Sequence, residues 1–255
     1  TKSFIDSTSF MWKKKKNYFS SGWNPVIVCP SQWLADRVKE SYLKECQVKV
    51  IPNAVDIEIF KPKDKSILRK KYGIPIKKKV ILCLAADLED ERKGIKYFFK
   101  SLKYINAKKW MVVAAGKVLN YDKIKEVDIE IKQMGYIEGK NDISDIYNLA
   151  DIFCISSVDD NFPTTVLEAM ACGVPVVGFD VGGIPEQVTE DCGTMVKSKD
   201  VKSLGEAMGN LLNNDEMRKY FGENCRKRVL LNYTVGKFTD NYIKIYNNAL
   251  RGIDK

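Results

Sequence analysis

Pro163, Thr164 and Thr165, with Glu168 three residues further on, form the stretch of this sequence best equipped for chemistry. Proline is at home in the first turn of a helix and threonine is a fair cap, so the spacing predicts a helix opening here. The N–H groups of Thr164 and Thr165 then lack intrahelical partners, and with the helix dipole they form an anion site suited to a phosphate. Glu168, one turn later, can accept two hydrogen bonds from the hydroxyls of a sugar attached to that phosphate. Taken alone, Glu168 reads more simply as a carboxylate stabilised by its own helix dipole. Gly173, Gly178, Gly182 and Gly183 around the same strand end shift the balance toward a ligand, because glycine permits tight turns and close backbone approach.

A second constellation is AADLEDERKGI at residues 85–95. Arg92 and Lys93, beside the helix-opening Gly94, supply fixed positive charge opposite the first anion site. A diphosphate leaving group needs such charge, because negative charge builds on it as its bond to carbon breaks. The alternatives are an ordinary polar loop neutralised by Asp87, Glu89, Asp90 and Glu91, or a loop whose acids hold Mg²⁺, for which one flexible loop is a poor octahedral cage. No GxGxxG follows a strand and no GxxxxGK[ST] occurs; GKVLNY at 116–121 lacks the upstream glycine of a phosphate loop.

The elements that must position these residues are legible from Lys79 onward. Strand-like runs at 80–86, 110–116, 129–137, 151–157, 174–179 and 193–197 alternate with helical patterns near 94–106, 141–149, 164–172, 184–190 and 200–213. Continuous Val/Ile-rich strands separated by helices imply a doubly wound α/β domain built on a parallel sheet. Two more helices are expected between Asp215 and about Leu250. Residues 1–60 offer a basic amphipathic segment, a strand at Val26 to Cys29, a helix from Ser31 and a strand at Val48 to Ile51. That is too little for an independent core, so they read as the remnant of a preceding α/β domain. The expected division is 1–60 and 61–255, with the last helix, about 234–250, packing back toward the N-terminal part.

Composition narrows the chemistry. The chain has 255 residues, 45% of them hydrophobic and 29% charged, as in a globular protein with a sizeable core. There is no histidine, which removes Ser-His-Asp and Cys-His catalysis and disfavours a zinc or non-haem iron centre. Seven singly placed cysteines without CxxC spacing read as buried thiols of a reducing cytosol. No apolar run is long enough to cross a bilayer, and the start, TKSFID, does not read as a signal peptide; with no initiating Met, the chain reads as part of something longer. The net charge of +9 gathers at Lys13 to Lys16, Lys61 to Lys79 and Arg226 to Arg228. Solvated surface is the simplest reading of each run; MWKKKKNYF also suits an anionic membrane surface. No aromatic pattern of an RNA-binding sheet is present, so nucleic acid is not an expected partner.

Taken together, CPSQWLADRVKES (29–41), VKVIPNAVDIEIFKP (48–62), RKGI (92–95), DNFPTTVLEAMACGVPVVGFDVGGIPE (160–186) and YTVGKFTDNYIKIYNNAL (233–250) resemble the GT-B glycosyltransferases, specifically the retaining family-4 type of glycosyltransferase group 1. The resemblance covers nearly the whole chain in matching order. Its hallmark is two acids separated by seven residues, a spacing that Asp160 and Glu168 have. It implies that Glu168 binds the ribose hydroxyls of a nucleotide-sugar and that Asp160 lies near the donor sugar. It further implies that Lys93, with a nearby arginine such as Arg92, neutralises the diphosphate. Backbone amides around Phe162, Pro163, Thr164 and Thr165 would assist, and Gly135, Tyr136 and Ile137 would border the base. Two departures stand out: Asp160 replaces the usual glutamate, and Asp87 occupies a position where the family often has arginine.

The function so implied is transfer of a sugar, with retention and without a metal or other cofactor, from a nucleotide-diphosphate sugar to a glycan or lipid-linked acceptor. The leaving phosphate would help deprotonate the acceptor, which suits a chain without histidine. The setting would be cytoplasmic, at the inner face of a membrane. Because most of an acceptor-side domain is absent from these 255 residues, the chain is expected to bind donor without turning it over. The principal alternative is a non-catalytic sugar-nucleotide-binding module on the same fold; an epimerase and a basic nucleic-acid binder rank below it.

Overall fold

Aromatic residues flank four consecutive lysines in Thr8–Phe19, which forms a helix (α1) with no buried residue. Val26–Cys29 (β1) pairs in parallel with Gln47–Val50 (β2), and Gln32–Lys39 (α2) connects them. Ser31 caps α2, its hydroxyl accepting from the Leu34 N–H at 3.1 Å, as the sequence suggests. The computed structural model describes residues 6–19, 25–105, 108–117 and 129–252, so the expectations for residues 1–5 and for the 118–121 part of GKVLNY lie outside it.

These elements belong to a first unit, Thr1–Pro52; the second is Asn53–Lys255. The division therefore falls after Pro52 rather than after residue 60. Residues 53–60 go with the second unit because Val55 bridges to Thr234 and the Phe60 side chain enters that unit's core. The second unit also opens with a helix that the sequence did not disclose, Lys65–Lys71 (α3). Its lysines suggested plain surface, yet Asp64 caps it by accepting from Ser66 and Ile67 N–H, and Leu68 and Arg69 are buried.

The expected parallel α/β sheet is present. Its strands are Lys79–Asp87 (β3), Trp110–Lys117 (β4), Glu130–Gly135 (β5), Ile152–Ile155 (β6), Val176–Asp180 (β7) and Gly193–Lys197 (β8). They lie in the order β5-β4-β3-β6-β7-β8, and every neighbouring pair is parallel. Side chains alternate across the sheet: Val80 and Leu82 enter one core, Ile81 and Cys83 the other. The first core lies under Lys140–Leu149 (α5), Thr164–Ala171 (α6) and Asp215–Asn232 (α9); the second under Ile95–Ser101 (α4) and Val201–Asn213 (α8). Ile184–Gln187 (α7) is a single turn rather than the expected 184–190, since Val188 leaves the helix in extended conformation. Val235–Arg251 (α10) completes the chain.

The order β5-β4-β3-β6-β7-β8 decides where a ligand can bind. Connections run outward from β3 on one side and outward from β6 on the other, so the crevice between their carboxyl ends is a topological switch point. The loops after β3 and β6 carry Lys93 and Asp160.

Candidate functional site

Beyond Asp87 the chain leaves the sheet and forms a short 3₁₀ turn at Glu91–Lys93, capped by Asp90 through the Arg92 N–H. Gly94 follows with φ of 63°, and a Cβ there would collide with the Ser156 carbonyl oxygen. That close approach brings the two loops together. The Ser156 hydroxyl donates to the Lys93 carbonyl at 2.9 Å, and the Val158 N–H donates to the Arg92 carbonyl at 2.8 Å. Ser156 and Ser157, read from sequence as strand, are thereby drawn out of the β6 ladder and into the site.

The Lys93 ammonium consequently donates to Asp160 Oδ2 at 2.7 Å. The same oxygen accepts from the Ser157 hydroxyl at 3.2 Å, and Oδ1 from the Asn161 N–H at 3.1 Å. The loop after β7 braces Asp160 from behind: Gly182, at φ of 60°, lies against the Asp160 carbonyl oxygen, and the Gly183 N–H donates to Asn161. Lys93, rather than Arg92, thus faces the crevice carboxylate. The Arg92 guanidinium is turned onto Asp90 of its own turn, at 2.8 and 3.2 Å. Asp87 accepts from the Glu89 N–H within the same loop.

Helix α6 begins at Thr164, where the sequence expects it, but Pro163 is its N-cap, in extended conformation, rather than a residue of the first turn. Pro163 offers no side-chain cap, so the N–H groups of Thr164 and Thr165 are not consumed by one. Two side-chain amides hold the segment before the helix. Asn53 donates to the Phe162 carbonyl at 2.8 Å, and the buried Gln187 donates to the Pro163 carbonyl at 3.0 Å. The Phe162 ring is buried edge-on against Tyr233.

Glu168 is half-buried, and the Tyr147 hydroxyl donates to its Oε2 at 2.9 Å. Burial pushes the Glu168 carboxyl above its ordinary pKa; the Tyr147 hydrogen bond and the charge of Lys140 oppose that rise without cancelling it. The other carboxylate oxygen has no protein partner among the described residues and is open to a hydroxyl. Gly135 ends β5 with φ of 68°, Tyr136 is exposed with the Lys117 ammonium 5.7 Å above its ring, and Ile137 packs on the core. These three share the carboxyl edge with the other residues but sit on the outermost strand.

Lys93 and Asp160 are therefore in contact, and Phe162, Pro163, Thr164, Thr165 and Glu168 form one continuous helix start beside them. Tyr147, Ser157, Asn53, Gln187 and Lys117 escaped the sequence reading. Only Tyr147 left a signal, as an apolar-face position of α5 in step with Ile143 and Ile146. Among the described residues no three of Cys, Asp and Glu gather into a metal-binding cluster. Nor is any described helix long and apolar enough to cross a membrane.

Comparisons with known proteins bear on the fold and the family. The chain is 25% identical over 230 residues to N-acetyl-alpha-D-glucosaminyl L-malate synthase of Bacillus anthracis, covering 89% of this chain and 60% of that protein. It is 25% identical over 219 residues to UDP-Gal:alpha-D-GlcNAc-diphosphoundecaprenol alpha-1,3-galactosyltransferase of Escherichia coli, covering 82% of this chain and 56% of that one. The chain thus spans about 60% of the length of the curated relatives it matches. In fold it is similar to Anabaena HepE in complex with UDP, with a TM-score of 0.82 at 18% identity over 94% of this chain and 68% of the other. It also resembles the C-terminal domain of a glycosyl transferase group 1 family protein from Francisella tularensis, with a TM-score of 0.61 at 22% identity over 71% of this chain and 99% of the other. The family model described as glycosyl transferases group 1 matches residues 64–228, well over half of the chain, and the chain belongs to that family.

Proposed function

We propose that this chain is the donor-binding part of a retaining glycosyltransferase that transfers a sugar from a nucleotide-diphosphate sugar to a glycan or lipid-linked acceptor. The observation that carries the reading is the convergence, at one switch point, of an uncapped helix start, the Lys93 ammonium and a half-open Glu168 carboxylate. An anion and a pair of hydroxyls separated by about one helical turn describe a phosphate joined to a pentose.

In this reading the diphosphate lies on the N–H groups of Thr164 and Thr165 and beside Lys93, and Glu168 accepts from the ribose hydroxyls. Positive charge fixed at that position stabilises the leaving diphosphate most when its bond to the sugar is breaking, which is where catalysis needs it. No metal is required for that. Asp160 is positioned by Lys93 and Ser157 for the donor sugar, Arg92 adds a second cation at the rim, and Gly135, Tyr136 and Ile137 border the base. The name of the Escherichia coli relative states a UDP-sugar donor and a lipid diphosphate acceptor, and the Anabaena HepE structures include complexes with UDP and with UDP-glucose. A cytoplasmic setting suits the seven free thiols. Peripheral contact with an anionic membrane suits α1, where Lys13 to Lys16 sit beside exposed Phe10 and Trp12.

Calorimetry of the chain with UDP, GDP and ADP tests the binding half of the reading: one should bind, and Glu168→Ala should remove most of that affinity. Sugar transfer by the full-length protein tests the other half. Asp87, where the family often has arginine, favours one second reading, a module that binds sugar-nucleotide without using it. A full-length protein that binds donor yet transfers nothing to any lipid or glycan acceptor would establish that second reading.

A further inference from the structure

A cavity of about 820 Å³ opens at the amino edge of the sheet, the edge opposite to Lys93 and Glu168, and no residue of the donor site lines it. Helix α9 forms one wall. The other is built from Pro62, Lys63 and Lys65, from Ala150 and Asp151 ahead of β6, and from Cys172 to Pro175 ahead of β7. The walls are close because two glycines meet: a Cβ on Gly222 would collide with the Gly173 carbonyl oxygen, and Gly173 itself has φ of 73°.

The chemistry of the lining is uneven along α9. Six cations reach the cavity: Lys63, Lys65, Arg218, Lys219, Arg226 and Lys227. The lining acids are Asp151, Asp215 and Glu223, and two of them are committed: Asp151 to Lys65 and Arg69, and Asp215 to Arg218 and Lys79. Arg226 is held by carbonyl oxygens, those of Phe60 at 2.8 Å, Ala171 at 3.0 Å and Ile57 at 3.5 Å, and has no carboxylate partner among the described residues. Lys219 and Lys227 have no ion pair among the described residues; Glu223 lies one turn from each, and Asp215 and Glu216 one turn before Lys219. At the far end Leu230 and Leu231 are 41% and 53% exposed, beside Val174 and Pro175. From Lys219 to Leu231 the helix rises roughly 18 Å at 1.5 Å per residue.

A neighbouring cavity of about 430 Å³, which shares Asp215, is lined by Lys77, Lys78, Lys79, Lys108 and Lys109. Lys63 is paired with Asp145 and Lys78 with Glu130, but the cations lining the two cavities still outnumber the acids, a field that raises the local concentration of anions. Burial by the cavity walls pulls the Lys65 ammonium below its ordinary pKa, with Asp151 opposing, although 41% of its side chain is still accessible. A concave, partly dehydrated pocket is where a charged partner gains most.

We infer that this cavity is a second ligand site, separate from the donor crevice, which takes an elongated amphiphilic anion. Its acid group, a phosphate or a carboxylate, lies at Lys65 and Lys219. Its apolar chain runs along α9 past Lys227 to Leu230 and Leu231. The inference does not depend on the donor-site reading, since it shares no residue with it.

The test titrates the 255-residue chain with dodecyl phosphate, long enough to reach from Lys219 toward Leu231, with inorganic phosphate and dodecyl maltoside, and separately with phosphatidylglycerol vesicles. Dodecyl phosphate should bind at one site per chain at least ~10-fold more tightly than either half-ligand, because buried methylenes and a charge-assisted contact act together. Lys219→Glu and Leu231→Glu should each weaken it by ~10-fold or more while leaving nucleoside diphosphate binding unchanged. Vesicle binding lost in the same variants would identify a lipid as the source of the anion; no vesicle binding would identify a soluble amphiphile. Equal affinity for phosphate and dodecyl phosphate, indifference to both variants, or binding to vesicles but not to the free amphiphile would overturn the inference.

Discussion

The ammonium of Lys93 lies 2.7 Å from the carboxylate of Asp160, 67 residues further along the chain. The contact joins the two loops of the switch point, so the cation proposed for the diphosphate is already occupied in the free protein. An arriving diphosphate must share Lys93 with Asp160 or take it over. Lys93→Ala should therefore weaken nucleoside diphosphate binding by about 1.5–3 kcal/mol, the usual value of a hydrogen bond to a charged group. Asp160→Asn should do the reverse for the bare diphosphate, which then meets a free lysine, while weakening binding of the sugar-nucleotide. Titration calorimetry on both variants reads the difference.

Glu168 supplies a pH dependence of known sign. Its carboxyl is raised by burial, so the folded state holds the proton more firmly than the unfolded chain does. Its contribution to stability is therefore present below the unfolded value and lost as pH rises through the folded one. Glu168→Gln carries no such charge. Its melting temperature relative to the parent should be more favourable at pH 8 than at about pH 4, near the ordinary glutamate value. Donor affinity should run the opposite way, falling as acid protonates the carboxylate.

Asp151 marks the opposite edge of the sheet. Its carboxylate meets Arg69 at 2.7 Å, Lys65 at 3.0 Å and the Val80 N–H at 2.7 Å, while Arg69, only 4% exposed, also donates to the carbonyls of Leu149, Ile76 and Lys78. Burial alone would raise the Asp151 pKa, but Lys65, Arg69 and the Val80 hydrogen bond together hold it below the ordinary value. Asp151→Asn leaves Arg69 buried without its counter-charge and should cost about 3 kcal/mol or more in urea unfolding at pH 7. Because a depressed carboxyl stabilises above its unfolded pKa, the gap between variant and parent should narrow as pH falls below about 4.

Gly182 joins backbone geometry to the site. Its positive φ is strained for any other residue, and a Cβ would strike the Asp160 carbonyl. Gly182→Ala should push the Asp160 loop away from Lys93, lowering sugar-nucleotide affinity at least ~10-fold, with a stability loss of about 1–3 kcal/mol. Gly236→Ala, in helix α10 with nothing within 4 Å of the added carbon, serves as the control: it should leave sugar-nucleotide affinity unchanged and raise stability by at most about 1 kcal/mol.

The sequence disclosed what repeats or is locally encoded. Val/Ile runs gave the strands, and the Pro163 to Glu168 stretch gave the helix start because proline, threonine and glutamate act within one turn. What it hid depends on distant partners. Helix α3 is obscured by its largely exposed lysines, and only Leu68 and Arg69 are buried. Ser156 and Ser157 read as strand because nothing local reveals that Gly94, more than sixty residues earlier, presses against them. Arg92 and Lys93 are both expected at the diphosphate; only the turn geometry sends one to Asp90 and the other to Asp160. Tyr147 could be placed on a core face, but its hydroxyl partner Glu168 is a tertiary fact.

The central claim is that a helix start and Lys93 hold a diphosphate while Glu168 holds the adjoining pentose. Its most direct test is a crystal structure of the chain soaked with the nucleoside diphosphate that calorimetry selects. The account expects phosphate oxygens within hydrogen-bond distance of the Thr164 or Thr165 N–H and of Lys93 Nζ, and ribose hydroxyls on Glu168. A nucleotide bound elsewhere, above all among the lysines and arginines of the amino edge, with Glu168 still facing only Tyr147, would contradict it.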